Sequence, residues 1–285
     1  MGTIFSRTLN ESMVKNLLNE KLWNEKLKPD CLAGNVFMAL RDNYISFYYK
    51  GGNLFTYKNN RFETHIKYAA LLDGVKGDYV TEKHLENAQP IRLFPDGYDS
   101  IKKNCLLHVK EEDDGISHLY HNFSYFSNAN IVLLDIQVSF SDDDGQDRID
   151  FLLLNKSENK LRFIEAKLSK NKEIVADLDS DRNPKVITQI IRYQERIKNE
   201  RAAILTAYKE YVKTINLIFG TTISAPNDID ECVGLLIFKY DQNDKTQRLE
   251  PHIIENAKYD TIRKYLIGDI TGINIDKLWQ ETTGV

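Results

Sequence analysis

The sequence predicts an α/β protein whose second half forms a mixed sheet flanked by helices, with an N-terminal module of α+β type before it. Two observations lead to this prediction. In the first half, one amphipathic helix precedes several short strand-like runs, whereas in the second half apolar runs alternate with longer helical stretches. We place the division at residue 100, which gives a module of residues 1–100 and a second domain of residues 101–285.

The N-terminal module begins with a predicted amphipathic helix from Glu11 to Leu27, which Pro29 is expected to end. Turn signals then separate four predicted strands: Asn35–Leu40, Tyr44–Tyr49, Asn53–Tyr57 and Arg61–Tyr68. This pattern is typical of a small antiparallel meander. The stretch Leu72–Pro95 contains glycines and prolines and is expected to be irregular.

The second domain combines predicted strands with longer predicted helices. Its predicted elements, in order, are a helix at Ile116–Ser127, strands at Ile131–Phe140, Ile149–Leu154 and Leu161–Lys167, helices at Lys185–Asn199 and Ala202–Phe219, a strand at Val233–Lys239 and a helix at Asn256–Leu266. Ser141–Asp147 is expected to be a polar turn between the first two strands. Asn183 and Pro184 are typical of a helix start.

The composition excludes several classes of protein. Three widely spaced cysteines contain no CxxC pair, so neither a structural zinc site nor a disulfide framework is predicted. Residues 1–10 include no apolar run, and no stretch approaches the ~20 apolar residues of a membrane span, so we expect a cytoplasmic protein that does not associate with membranes. A net charge of −4 argues against non-specific coating of nucleic acid but is compatible with an acidic metal site.

The segment from Asp147 to Lys170 carries the candidate chemistry. If its hairpin turns between Ser157 and Glu158, then Leu154 faces Leu161 and Asp150 faces Glu165. Directly opposed residues of an antiparallel pair have Cβ atoms ~4.5–5.5 Å apart. Lys167 lies two residues beyond Glu165 and shares its face. One patch of the hairpin is therefore expected to hold two carboxylates and an ammonium group.

Two carboxylates placed in this way repel each other unless a positive charge lies between them. Mg²⁺ is suited to the position, because it takes oxygen ligands from one or two carboxylates and a substrate phosphate. Lys167 would orient the attacking water. The plainer interpretation is a surface hairpin with an ordinary ion pair, and a second Glu-x-Lys sequence, Glu158–Lys160, lies within the turn itself.

The next predicted helix adds Gln189 and Tyr193, which are four residues apart and share one helix face. The glutamine is suited to holding a water or a phosphate, and the tyrosine to offering a hydroxyl or stacking on a base. Asp150, Glu165-x-Lys167 and Gln189-xxx-Tyr193, on strand, strand and helix, resemble the motif of the PD-(D/E)XK nuclease superfamily. The resemblance is greatest to its QxxxY branch of RecB-like and NucS-like nucleases.

This resemblance covers residues 116–239 and implies a restriction-endonuclease-like core. It implies that Asp150 and Glu165 bind Mg²⁺ or Mn²⁺ together with the backbone carbonyl of Ala166, and that Lys167 assists the attacking water. The two helix residues of the motif would support the site and the substrate. The implied substrate is nucleic acid, DNA more than RNA, and the implied settings are restriction, anti-phage defence or repair.

One feature departs from the family pattern. Many members supply a further acid or a histidine from the helix before the first strand, and the predicted helix Ile116–Ser127 contains no acid. His118, His121 or Asp135 could take that place, or Glu111 and Glu112 could instead reach into the site. The rival hypothesis is a catalytically inactive nuclease fold that binds nucleic acid or a protein. The N-terminal module is in either case a candidate surface for nucleic acid, a partner protein or a second copy of the chain.

Overall fold

The computed structural model describes residues 5–69, 78–85, 93–140, 148–175 and 183–280. Internal contacts divide the chain into two compact units. The N-terminal unit consists of Ser6–Phe126 and Glu210–Thr222, and the C-terminal unit of Met1–Phe5, Ser127–Lys209 and Ile223–Val285. The division predicted at residue 100 differs from this one, because residue 100 lies inside a helix of the N-terminal unit.

The N-terminal unit is an antiparallel sheet with helices before and after it. In its described part the elements are α1 (Glu11–Asn19), a π-helical turn (Trp23–Leu27), α2 (Lys28–Leu32), β1 (Val36–Arg41), β2 (Tyr44–Tyr49), β3 (Gly52–Lys58), β4 (Arg61–His65), α3 (Ile66–Ala69), β5 (Tyr79–Val80), α4 (Glu82–Leu85), α5 (Phe94–Leu106) and α6 (Glu111–Phe123). The strands pair in the order β1-β2-β3-β4-β5, with every pair antiparallel, so the predicted meander is confirmed.

Three boundaries in this unit differ from the sequence-based prediction. Pro29 does not end the first helix but lies in the first turn of α2, where its missing N–H costs no hydrogen bond. The predicted strand Arg61–Tyr68 ends at His65 and continues as α3. The described part of Leu72–Pro95, predicted to be irregular, contains β5, α4 and the start of α5.

The C-terminal unit is built on a mixed sheet, as the sequence predicts. Its strands are β6 (Ile131–Ser139), β7 (Arg148–Asn155), β8 (Lys160–Leu168), β9 (Asp228–Ile229), β10 (Gly234–Phe238) and β11 (Lys264–Ile267). The strand order is β11-β10-β8-β7-β6, with β9 beside β8. The pairs β6–β7 and β7–β8 are antiparallel, and β8–β10 and β10–β11 are parallel. The turn predicted at Ser141–Asp147 lies outside the described residues.

The helices of this unit correct two predictions. Lys185–Asn199 and Ala202–Phe219 form one continuous helix, α7 (Lys185–Phe219), because no proline or glycine interrupts the chain between them. The helix predicted at Asn256–Leu266 is absent: this segment holds a 3₁₀ turn (Ala257–Tyr259) and β11, whose pairing with β10 outweighs its helical pattern.

Three further helical elements follow β10 in the described part of the chain. A short α8 (Gln242–Asp244) runs into a π-helical segment (Lys245–Ile254), and a 3₁₀ turn (Ile275–Leu278) lies near the end of the described chain. Within the residues that the structure describes, no helix is both long enough and apolar enough to cross a membrane.

Candidate functional site

The β7–β8 hairpin has the register that the sequence predicts. Leu154 pairs with Leu161 and Leu152 with Phe163, and the backbone ladder between the two strands ends at Phe151 and Ile164. One residue further in the same register places Asp150 opposite Glu165, within β7 and β8 respectively. Alternation along the strands then puts both carboxylates on one face of the sheet.

The side chain of Asp150 accepts a hydrogen bond from the neighbouring strand β8. Its Oδ2 accepts a hydrogen bond of 2.8 Å from the backbone N–H of Ala166, and its Oδ1 lies 3.4 Å from Nε2 of Gln137. The N–H of Ala166 thus points toward β7, and the carbonyl of the same residue in an extended strand points the same way. The residue is 8% exposed, so Asp150 is a buried carboxylate whose contacts include the N–H of Ala166 and the side-chain amide of Gln137.

Glu165 and Lys167 form a buried ion pair on the same face. Nζ of Lys167 lies 2.8 Å from Oε1 of Glu165. Lys167 is 6% exposed and Glu165 is 1% exposed. Burial makes each charge costly unless an opposite charge compensates it. The surface-hairpin interpretation is therefore wrong for this pair, since its members are in the interior of the unit.

A further acid, Glu173, was missed by sequence reasoning. It lies in the 3₁₀ turn Lys172–Ile174 that follows β8, and its Oε2 is 3.6 Å from Nζ of Lys167. Its Oε1 pairs closely with Nζ of Lys185, the first residue of α7. Burial works against ionisation, but hydrogen bonds and attraction from Lys185 and Lys167 outweigh it and lower the pKa of Glu173. No spacing rule in the sequence identifies this contact, because a turn outside the motif produces it.

The first turns of α7 face the hairpin. Lys185, Gln189 and Tyr193 are spaced four residues apart and share one side of the helix. Lys185 contacts Glu173, and Tyr193, which is 1% exposed, donates a hydrogen bond of 3.0 Å to the carbonyl of Arg148 on β7. Gln189 lies between these two anchors. Its Oε1 is buried and has no hydrogen-bond partner among the described residues, which suits it to hold a water or a ligand atom.

The candidates for the additional upstream ligand lie in other surroundings. Asp135 on β6 is fully buried, and its carboxylate accepts hydrogen bonds from the hydroxyl of Tyr208, at 2.9 Å, and from the N–H of Ile136. His118 and His121 lie on α6, which belongs to the N-terminal unit. There Nδ1 of His121 is 3.3 Å from the carbonyl of Gly34. The helix also begins earlier than predicted, so its first turn contains acids after all.

The candidate ligands for a divalent cation are two carboxylates and one backbone carbonyl. Across the described ranges, no group of three or more His, Cys, Asp or Glu side chains is arranged to hold a metal ion. Asp150 and Glu165 instead offer two buried carboxylates at the end of the β7–β8 ladder, and Asp150 contacts the backbone of Ala166. Mg²⁺ is commonly held by one or two carboxylates, with waters and substrate phosphates completing its octahedron. The residues present therefore fit Mg²⁺ or Mn²⁺.

The structure thus brings together most of the residues that the sequence singled out. Asp150, Glu165 and Lys167 share one buried face, and α7 packs beside it through Tyr193. Lys167 pairs with the carboxylates of Glu165 and Glu173, and Glu173 also pairs with Lys185. No protein-family model, curated protein or solved structure matches the chain.

Proposed function

We propose that the protein is a Mg²⁺- or Mn²⁺-dependent nuclease of the PD-(D/E)XK type, which hydrolyses phosphodiester bonds of DNA in preference to RNA. The proposal is supported by two contacts at the end of the β7–β8 ladder: Asp150 accepts a hydrogen bond from the N–H of Ala166, and the ammonium group of Lys167 lies 2.8 Å from Glu165. Two buried like charges side by side are costly in a purely structural role and useful around a cation.

Each residue has a task that follows from its contacts. Asp150, Glu165 and the carbonyl of Ala166 would hold the cation, which when bound polarises the phosphoryl oxygens and lowers the pKa of a coordinated water. Lys167 orients that water and offsets the negative charge that develops on the phosphate. Gln189 supplies a buried amide oxygen beside the site, and Tyr193 fixes α7 against the start of β7.

The test is a cleavage panel with plasmid, linear duplex and single-stranded DNA in Mg²⁺, Mn²⁺ or EDTA. We expect cutting in either metal, none in EDTA, and a loss of about 10²–10³-fold in Lys167→Met, as for removal of one group that stabilises the transition state. Asp150→Asn should lose the metal-dependent reaction as well.

Lys160→Met is the matched control, because Lys160 is the lysine of the second Glu-x-Lys sequence and pairs only peripherally, at 3.3 Å, with Asp228. It should cut like the wild type. DNA retention without cutting in any metal would instead support the rival function, an inactive nuclease fold that binds nucleic acid. Equal activity in wild type and Asp150→Asn would refute the proposed site.

A further inference from the structure

Glu173 is the feature of the C-terminal unit that the nuclease motif does not account for. Its position is built by the chain immediately after β8: the N–H of Asn171 bonds to the carbonyl of Leu168, at 2.9 Å, and Oδ1 of Asn171 accepts from the N–H of Glu173, at 3.0 Å. Ile174, which is fully buried, anchors the far side of this turn. The turn therefore returns Glu173 toward the lysine of the preceding strand in a fixed geometry.

Lys167 consequently lies between two carboxylates, at 2.8 Å from Glu165 and 3.6 Å from Glu173. The shorter contact is with a carboxylate that, under the proposed function, must also coordinate the cation. A carboxylate that binds a divalent cation attracts a neighbouring ammonium group less strongly, and the cation itself repels that group. Glu173, by contrast, contacts both lysines and is outside the ligand set.

We propose that Glu173 is a positioning residue, which holds the ammonium group of Lys167 in the site while Glu165 coordinates the cation. This inference rests on the proposed function and deepens it. Without Glu173, the cation and Lys167 compete for Glu165, so both metal binding and the reaction suffer. Lys185 holds Glu173 from the opposite side and is its most exposed contact, with 68% of its side chain in solvent.

The first experiment measures Mn²⁺ affinity in the absence of DNA, using the full chain. Glu173→Gln, which keeps the size but removes the charge, should weaken Mn²⁺ binding about tenfold, the lower end for loss of a group that orients a ligand. In a Lys167→Met background the same substitution should change affinity by less than about twofold, since no ammonium group remains to compete. Lys167→Gln replaces Lys167→Met if the latter does not fold, as judged by circular dichroism.

Matched variants distinguish the effect of the position of the Glu173 carboxylate from the effect of its charge. Glu173→Asp retains the carboxylate and should restore most of the affinity. Glu200→Gln removes a carboxylate of similar exposure, 32% against 26% for Glu173, that is paired with Arg196 at 2.9 Å, and should leave Mn²⁺ affinity unchanged. With DNA, Glu173→Gln should lower kcat and leave KM unchanged, because the site rather than substrate contact is altered.

The outcomes that overturn the inference differ from those that overturn the function. Equal weakening of Mn²⁺ binding in both Lys167 backgrounds would mean that Glu173 acts on the cation directly. Unchanged affinity and kcat in Glu173→Gln, with a wild type that binds Mn²⁺ and cuts DNA, would refute the positioning role and leave the nuclease standing. A wild type that neither binds Mn²⁺ nor cuts DNA would refute both.

Discussion

Replacing Asp150 with asparagine should leave the stability of the metal-free protein within about 1 kcal/mol of the wild type while removing its activity. At an effective dielectric constant of 20, two unit charges ~5 Å apart, as expected for opposed residues, interact by about 3 kcal/mol. The change relieves this repulsion between Asp150 and Glu165 but also removes the attraction of Asp150 to the lysine paired with Glu165, which is of similar size. Asparagine still accepts the hydrogen bond from the N–H of Ala166, at 2.8 Å, so only the charge assistance of that bond is lost, about 1 kcal/mol.

The difference between the two proteins should grow when a divalent cation is present. A metal that binds only the folded wild type adds about 2.7 kcal/mol at a concentration one hundred times its Kd. The wild type then exceeds Asp150→Asn, which binds the cation weakly. Thermal unfolding in EDTA and in Mg²⁺ measures both, and 1 kcal/mol corresponds to a Tm shift of roughly 2–4 °C for a unit of this size.

Asp135→Asn is the control for burial alone. Asp135 is also a fully buried carboxylate of the same sheet, but it pairs with Leu152 across the strands and accepts from Tyr208. Its replacement should destabilise the protein by about 1–3 kcal/mol with or without metal. No response of the wild-type Tm to Mg²⁺ would refute the idea that repulsion between carboxylates is relieved by a cation.

Two further predictions concern stability away from the site. Arg162→Met should lower the free energy of unfolding, measured in urea titrations, by about 3–5 kcal/mol, because the buried carboxylate of Asp230 loses the guanidinium group 2.8 Å away. Unchanged stability would show that Arg263 alone compensates the charge of Asp230. Asp30→Asn should reduce the loss of stability on acidification. Burial raises the pKa of Asp30, but hydrogen bonds from Lys102 and Tyr98, each 2.7 Å long, outweigh burial and bring it below 3.8. The stability from ionised Asp30 is thus present above its unfolded pKa and lost below about pH 5 as the pH falls through the folded value. Urea midpoints at pH 7 and pH 3 check this, and equal acid losses in variant and wild type would contradict it.

The core of the candidate site was predictable because it depends on local rules. A two-residue period and a countable turn fix which side chains of a hairpin are opposed, and the observed pairs Leu154–Leu161 and Leu152–Phe163 are those that the count predicts. The spacing of four on α7 likewise placed Gln189 and Tyr193 on one side. The mixed sheet followed from the alternation of apolar runs and helical stretches.

The remaining features depend on tertiary contacts that no local rule contains. Glu173 contacts Lys167 because the turn after β8 reverses the chain, and the sequence of the residues between them does not predict this contact. The strand β11 is short, and its helical pattern gives way to pairing with a buried neighbour. The contact-based units differ from the division expected near residue 100 for a similar reason, since α6 and Glu210–Thr222 pack into the N-terminal unit.

The most direct test of the central claim is single-turnover cleavage of a labelled DNA duplex by the wild type and by Glu165→Gln, at saturating Mn²⁺ and in EDTA. Glu165 is the residue through which the lysine and the proposed cation are linked, so its neutral isostere removes both at once. We expect rapid cutting by the wild type in Mn²⁺ only, and none by Glu165→Gln in either condition. Cutting by a folded Glu165→Gln protein at the wild-type rate would contradict the proposed site.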